Sequence, residues 1–300
     1  MQIPTPPLSL PTASSWRRKG FAFAILLLIA GIALLWRYGA MRWKSATRSL
    51  LDKLEAGQRP SLRAGFDPAE LVGLPAPVQR FFRAVLKPGQ PVIGDAFIEH
   101  AGTFNAAETG EQWSPFHSTQ RVVTLRPGFV WDARIAMIPG IPVHVHDAYV
   151  AGEGVLHAAL LGLLPLAEMR GTPSMAEGEL MRFLAETAWY PTALLPSQGV
   201  RWEAVDGSSA RATLADESTA VTLLFRFHDA GPIASVRAEA RGRAVGGRIV
   251  PTPWEGRWSS YEVRNDILIP LEGEVSWLLP EGPKPYWRGR ITTIRYGFPS

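Results

Sequence analysis

The sequence predicts an α+β fold: one large curled antiparallel sheet, an open or half barrel, with helices covering its concave side and one N-terminal transmembrane helix before it. Three observations carry this. Sixteen uncharged residues, Phe21 to Trp36, form a single apolar run. Period-2 segments separated by Pro-Gly, Ala-Gly-Glu-Gly and His-Asp-Ala-Gly-Pro turns recur from about residue 96 to the C-terminus, which is the pattern of an antiparallel meander. Two helical stretches, near 77–86 and 178–195, lie among them, so helices and strands are segregated along the chain.

The apolar run FAFAILLLIAGIALLW is slightly short of a ~30 Å hydrocarbon core at ~1.5 Å per residue. The stems of flanking Arg and Lys side chains can make up the difference. Trp16 stands before the run and Trp36, Tyr38 and Trp43 stand at or after it, as aromatic belts do. A cleaved signal peptide would need a small-residue site after its apolar core; here Arg37, Tyr38, Met41, Arg42 and Trp43 follow. We therefore expect a basic Pro-rich tail (1–20), a single-pass anchor in the inner (cytoplasmic) membrane (21–38), a basic stalk or linker (39–66) and one α+β domain (67–300). Three basic residues precede the run and four follow it closely. The domain is read as extracytoplasmic.

Charge divides at the same boundary. The first 50 residues hold seven basic residues and no acid, leaving 24 basic and 27 acidic side chains for the rest. A domain without its own basic surface is not a nucleic-acid binder. With no cysteine, disulfides, thiolate metal sites and a Cys nucleophile are excluded.

Asp67–Leu86 predicts a helix with Val78, Phe81, Phe82 and Leu86 on its apolar side, opened by Pro77. Strands are expected near 96–104, 113–125, 129–137 and 141–150. Leu156–Met169 is apolar throughout and does not declare its period. Gly178–Leu195 reads as the clearest helix, stopped by Pro191, and strands resume near Val200. In the hairpin around 228–232, Val236, Ala238 and Ala240 alternate with Arg237, Glu239, Arg241 and Arg243, an apolar-in, polar-out pattern. Glu272 and Glu274 are placed to pair across a turn with Arg288 and Arg290.

The stretches LPAPVQRFF (74–82), GFVWDARI (128–135), GELMRFLAETAWYPTALLP (178–196), VPTPWEGRW (250–258) and YWRGRI (286–291) together resemble a bacterial family known only as a domain of unknown function. The resemblance covers most of residues 70–297 and implies no established activity. The element order also resembles periplasmic lipoprotein carriers of the outer-membrane sorting type. That resemblance implies an unclosed antiparallel barrel whose helices cap an apolar cavity.

Three residue groups carry candidate chemistry. Glu179, Arg182 and Glu186 lie at i, i+3 and i+4 spacings on one helical stripe. Two carboxylates about an Arg suggest acid-base work, but a cation lowers the pKa of neighbouring acids, the wrong direction for a general acid. We expect a solvated ladder at the sheet's edge, with Leu180, Phe183, Leu184 and Ala188 packed inward. His144 and His146 share one strand face and could bind a metal if His100, His117 or a carboxylate supplied a third ligand. The alternative is two half-buried sheet residues. Trp131, Trp189, Tyr190, Trp254, Trp258, Tyr261 and Trp277 are candidates to line a ligand cavity; core packing accounts for several of them. No nucleophile elbow, Walker loop, dinucleotide fingerprint or HExxH helix is present, and no cofactor is expected. The sequence thus favours a membrane-anchored protein that binds a lipid or other apolar ligand. An envelope enzyme and a non-catalytic partner in a membrane-protein complex are the alternatives.

Overall fold

The structure, a computed structural model, describes residues 13–59 and 65–299. Most of the Pro-rich tail and residues 60–64 of the expected stalk lie outside them. A 44-residue helix, α1 (Ala13–Ala56), opens the chain. A short helix, α2 (Ala76–Val85), follows, with Pro77 in its first turn and Val78, Phe81, Phe82 and Val85 buried.

Six strands come next: β1 (Asp95–Asn105), β2 (Trp113–Val123), β3 (Gly128–Ile138), β4 (Ile141–Val150), β5 (Glu153–Leu160) and β6 (Leu164–Arg170). The undeclared stretch after residue 155 is therefore mostly a hairpin. Its turn places Leu161 and Gly162 at positive φ, as a tight twisted hairpin requires. α3 (Pro173–Glu186) is then capped by Thr172, whose side chain accepts from the Met175 amide at 3.2 Å. Seven strands complete the chain: β7 (Arg201–Ala204), β8 (Ser209–Asp216), β9 (Thr219–Phe227), β10 (Ile233–Val245), β11 (Arg248–Arg264), β12 (Ile267–Leu279) and β13 (Gly282–Gly297).

α3 is shorter than the expected 178–195 helix at its C-terminal end. A proline ring clashes with the carbonyl four residues earlier, so Pro191 disfavours helix through Thr187. The Thr187 hydroxyl donates to the Leu184 carbonyl at 2.6 Å, and 3₁₀ turns carry the chain through Pro191 and Pro196 to Gln198.

The sheet has thirteen antiparallel strands in the order β6-β5-β4-β3-β2-β1-β13-β12-β11-β10-β9-β8-β7. It is two meanders joined where the first strand pairs with the last. The expected ion pairs sit at that join's flank, with Arg288–Glu274 at 2.7 Å and Arg290–Glu272 at 3.1 Å. The sheet curls until its halves meet: Tyr149 on β4 donates to Asp216 on β8 at 2.9 Å, and Arg126 before β3 pairs with the same carboxylate at 3.3 Å. α3 fills the concave side, with Leu180, Phe183, Leu184 and Ala188 buried as expected.

The segment expected as a stalk does not stand off the domain. The second half of α1 lies along the convex face, where Leu50 and Leu54 pack against Val123, Val130, Ala148, Val150 and Val155 as a second core. The Trp43 indole stacks on His146 with ring centroids 3.9 Å apart and donates to Asp132 at 2.9 Å. Thr47 completes the contact, its hydroxyl 3.0 Å from Asp132 and 2.7 Å from Nε2 of His146. These distances are all satisfied when His146 is neutral with its proton on Nε2. Burial pushes its pKa down from 6.5 to about 4, more than Asp132 raises it.

Two outcomes follow. Trp43→Ala should cost ~3–5 kcal/mol in denaturant unfolding, and a chain beginning at residue 60 should be far less stable than one beginning at residue 38. Because His146 holds a proton less readily folded than unfolded, its contribution is present above pH 6.5 and drains away toward pH 4. Trp43→Ala re-exposes the ring, so this acid-side loss should shrink in melts across that window.

Candidate functional site

The buried face of α3 carries both apolar residues and charge. Glu179 and Glu186 are 4% and 8% exposed, so the stripe expected in water is inside the curled sheet. The cause is the sheet's closure around α3, which leaves this helix little outward face. Arg182 donates to Asp147 on β4 at 2.5 Å and to Glu186 at 2.7 Å, and Gln120 on β2 donates to Glu186 at 2.6 Å. Its guanidinium lies over the rings of Phe129 and Trp131, 4.8 and 5.1 Å from their centroids. Arg241 on β10 reaches Glu179 at 3.2 Å and lies 5.0 Å over Trp254.

The inward direction of Arg241 departs from the outward face expected for it. The β10–β11 register shifts between Ala238 and Arg241. Such a bulge inserts one residue and reverses the alternation beyond it, so Arg237 stays on the outside while Arg241 turns in.

The electrostatics also differ from expectation. Burial, then the neighbouring Asp147, pushes Glu179 up to about 8 despite Arg241 and Arg182. Glu179 Oε2 and Asp147 Oδ1 have no other partner among the described residues, and a proton on Glu179 shared with Asp147 satisfies both. Burial opposes the charge on Arg182, but Glu186, Asp147 and Glu179 outweigh it and hold the guanidinium above its usual range.

Above this network is a cavity with about 70 Å³ of free space. Of the sequence candidates, Trp131, Trp189, Trp254 and Trp258 line it, joined by Phe104, Tyr286 and Trp287, with Asp147, Arg182, Glu186 and Arg241 at its charged end. Trp254 donates to the Tyr286 hydroxyl at 2.9 Å. The buried indole N–H groups of Trp131, Trp189 and Trp258 have no acceptor among the described residues. Three candidates are not among the lining residues. Tyr190 bonds the Phe183 carbonyl at 3.0 Å, Tyr261 bonds the Ile233 carbonyl at 2.6 Å, and Trp277 stacks on Tyr286 at 5.6 Å. A groove of about 330 Å³ between α3, β6 and the β10–β11 hairpin adjoins the cavity through Arg241, and Glu179 lines it too.

His144 and His146 are on the other side of the sheet, beneath Trp43, whose ring is also 5.1 Å from that of His157. His100 is inside, against Trp189, and burial followed by Arg182 pushes it down to about 3. It therefore cannot join the pair. Among the described residues no group of three or more His, Asp or Glu side chains could hold a metal ion.

Fold and site together define an open, curled antiparallel sheet wrapped on one helix with an aromatic-walled interior. The chain belongs to the family described as "Family of unknown function (DUF6920)", which it matches over residues 72–296. Two of the solved structures that align with it show the range. A LolA superfamily protein from Nitrosomonas europaea is 10% identical, with 73% of this chain and 91% of that one covered at a TM-score of 0.37. A beta-barrel-like protein of Domain of Unknown Function DUF1849 from Brucella abortus is also 10% identical, with 68% and 98% covered at a TM-score of 0.18. Alignments at these scores carry no information on ligand or activity. None of the curated proteins compared with the chain matches it.

Arg182→Met leaves Asp147 and Glu186 buried without their cation and should cost ~3–5 kcal/mol in denaturant unfolding. Glu179→Gln keeps a neutral partner for Arg241. In the parent protein the raised pKa gives stability that is fully present below pH 4.5 and lost as pH rises through about 8. The variant lacks that loss, so its stability relative to the parent should climb across this window in thermal melts.

Proposed function

We propose that this is a membrane-anchored binding protein that accommodates a lipid or other apolar ligand within its curled sheet. The observation that carries the reading is the aromatic cavity walled by three tryptophans whose buried indole N–H groups have no acceptor among the described residues. Buried donors are nearly always paired, so a cavity walled by such rings suits a ligand with an apolar body and oxygen acceptors. In this closed conformation its free volume is below the ~300–1,000 Å³ of usual ligand sites. It admits one end of such a molecule, and the adjoining groove supplies room for the remainder. The buried Glu179–Arg241 pair stands between the two spaces.

Anchoring is supported by one helix long and apolar enough to cross a membrane, with a window of mean hydropathy 2.1 in Phe21–Ala56. The same helix continues without a break into the packed segment at Trp43, which favours an anchor retained as part of the fold over a removed leader. We place the domain on the extracytoplasmic side.

Native mass spectrometry of the full chain in mild detergent should show co-purified lipid, and a fluorescent fatty acid should bind the delipidated protein. Val275→Phe, which fills the cavity from its wall, should reduce that binding several-fold while leaving the fold intact. A bare mass together with no binding of the fatty acid would rule the reading out.

A further inference from the structure

The turns β3–β4 and β5–β6 end beside the point where α1 leaves its apolar run. A Cβ at Gly39 would collide with the Leu161 carbonyl oxygen and the Leu163 side chain, and one at Gly162 would meet the Gly39 carbonyl oxygen at 2.8 Å and the Cβ of Trp43 at 3.2 Å. The helix and the β5–β6 turn are thus in backbone contact. Gly39 is three residues, ~4.5 Å along the axis, past Trp36, where the apolar run stops. From there α1 follows the strands toward their other end, meeting His144 and His146 at Trp43 and reaching Arg126 at Gly57. The sheet therefore points one set of its turns toward the membrane side of the helix.

Two neighbouring turns of that set are apolar where a solvated turn would be polar, while the β1–β2 and β12–β13 turns further along carry Glu108, Glu111 and Glu281. Met137 and Ile138 at the β3–β4 tip are 44% and 45% exposed, and Leu164 and Leu166 after the β5–β6 turn are 60% and 54% exposed. Turns at the other end carry charge instead: Arg126 pairs with Glu217 at 2.5 Å, and Asp266 pairs with Lys87 at 2.7 Å. On α1 the exposed Tyr38 and Met41 stand at the same level as the apolar tips, with Arg37, Arg42 and Lys44 around them.

We propose that these two hairpin tips sit in the headgroup layer of the bilayer that α1 enters, so that the domain lies on the membrane surface in one fixed orientation. The inference rests on the anchor reading above. The occupant is a lipid surface because the β5–β6 tip abuts the helix within one turn of its apolar run, with the β3–β4 tip beside it at the same end of the sheet, and a bilayer boundary must fall there if that run spans it. The basic residues at the same level complement anionic headgroups, and interfacial segments bury apolar side chains at about this depth. The contact at Gly39 and the stack at Trp43 fix the domain on the helix, so the tips cannot swing away from the surface without breaking both.

The cysteine-free chain allows single labels. Full-length protein carrying Ile138→Cys or Leu164→Cys, each with an environment-sensitive fluorophore, is reconstituted in vesicles of phosphatidylethanolamine and phosphatidylglycerol that contain a shallow nitroxide-labelled lipid. Leu34→Cys reports the span, and Val263→Cys, at the opposite end of the sheet, reports water. The tip labels should be quenched about as strongly as the span label and several-fold more than Val263→Cys. Quenching at Leu34→Cys with the tips no different from Val263→Cys would overturn the seating and leave the anchor standing. No quenching at Leu34→Cys would overturn both. Met137→Cys and Leu166→Cys repeat the measurement at neighbouring sites, so a label that distorts one tip cannot decide it.

Discussion

One helix ties together two halves of a sheet that otherwise meet only where Tyr149 and Arg126 reach Asp216 and Glu217. α3 lies between β4 and β5 on one side and β9 and β10 on the other, and its charges reach both ways. Arg182 bonds Asp147 on β4, and Glu179 bonds Arg241 on β10. Thirteen strands of one antiparallel sheet would splay or coil without such a bridge. The apolar residues of α3 supply the burial, while the ion pairs fix its rotation and register. Rotating the helix by one residue would place Phe183 where Asp147, and Leu180 where Arg241, now finds its partner.

The same sheet is covered a second time from outside. α1 packs its C-terminal half on the convex face through Leu50, Leu54 and Trp43, so parts of β2 to β5 are covered on both faces. This explains the histidines without invoking a metal. His144 and His146 are half of a sandwich whose other half is the Trp43 ring, and a neutral imidazole stacks on an indole at less desolvation cost than a charged one. A helix that carries the long apolar run and also forms an outer layer of the domain cannot act as a flexible tether, so the domain's position relative to that run is set by packing.

Much of the fold was legible in the sequence because strand alternation and turn residues are local signals. The strands from β1 to β4, the helix at α2 and the Glu272/Glu274 pairing with Arg288/Arg290 all followed from them. What was hidden was hidden for physical reasons. β5 and β6 lost their period for different reasons: β5 packs Val155 against α1 and other residues against α3, while β6 carries apolar Leu164 and Leu166 on an exposed face. The packing of residues 43–56 was obscured by lysines and arginines on the outer half of an otherwise inward helix. Arg241 was assigned outward because a bulge leaves no mark in an alternating pattern. The Glu179 stripe was read as wet because i, i+4 spacing gives the face a residue occupies and says nothing of what that face meets. Four of the tryptophans that line the cavity were named from composition alone. Asp147 and Arg241, which complete its charged end, could be found only once the strands were in place.

The charged floor of the cavity needs its own reason, since buried ion pairs are seldom a net source of stability and apolar replacements of the same shape often do as well or better. A chain selecting only for a closed interior would have filled this space with Leu and Phe. Here five ionisable groups share it, and burial raises the pKa of Glu179 to about 8, so that whenever it takes up a proton the two arginines are balanced against Asp147 and Glu186. Such a floor presents no net charge to the aromatic walls, yet it keeps polar groups at the boundary between cavity and groove. Its orientation of Arg241 depends on the bulge in β10, a local departure from regular pairing that the long β10–β11 hairpin tolerates. The arrangement therefore separates two tasks within one interior. Aromatic rings provide apolar surface and indole donors unpartnered among the described residues, and the network of Arg182 and Arg241 ties α3 to β4 and β10 beneath them.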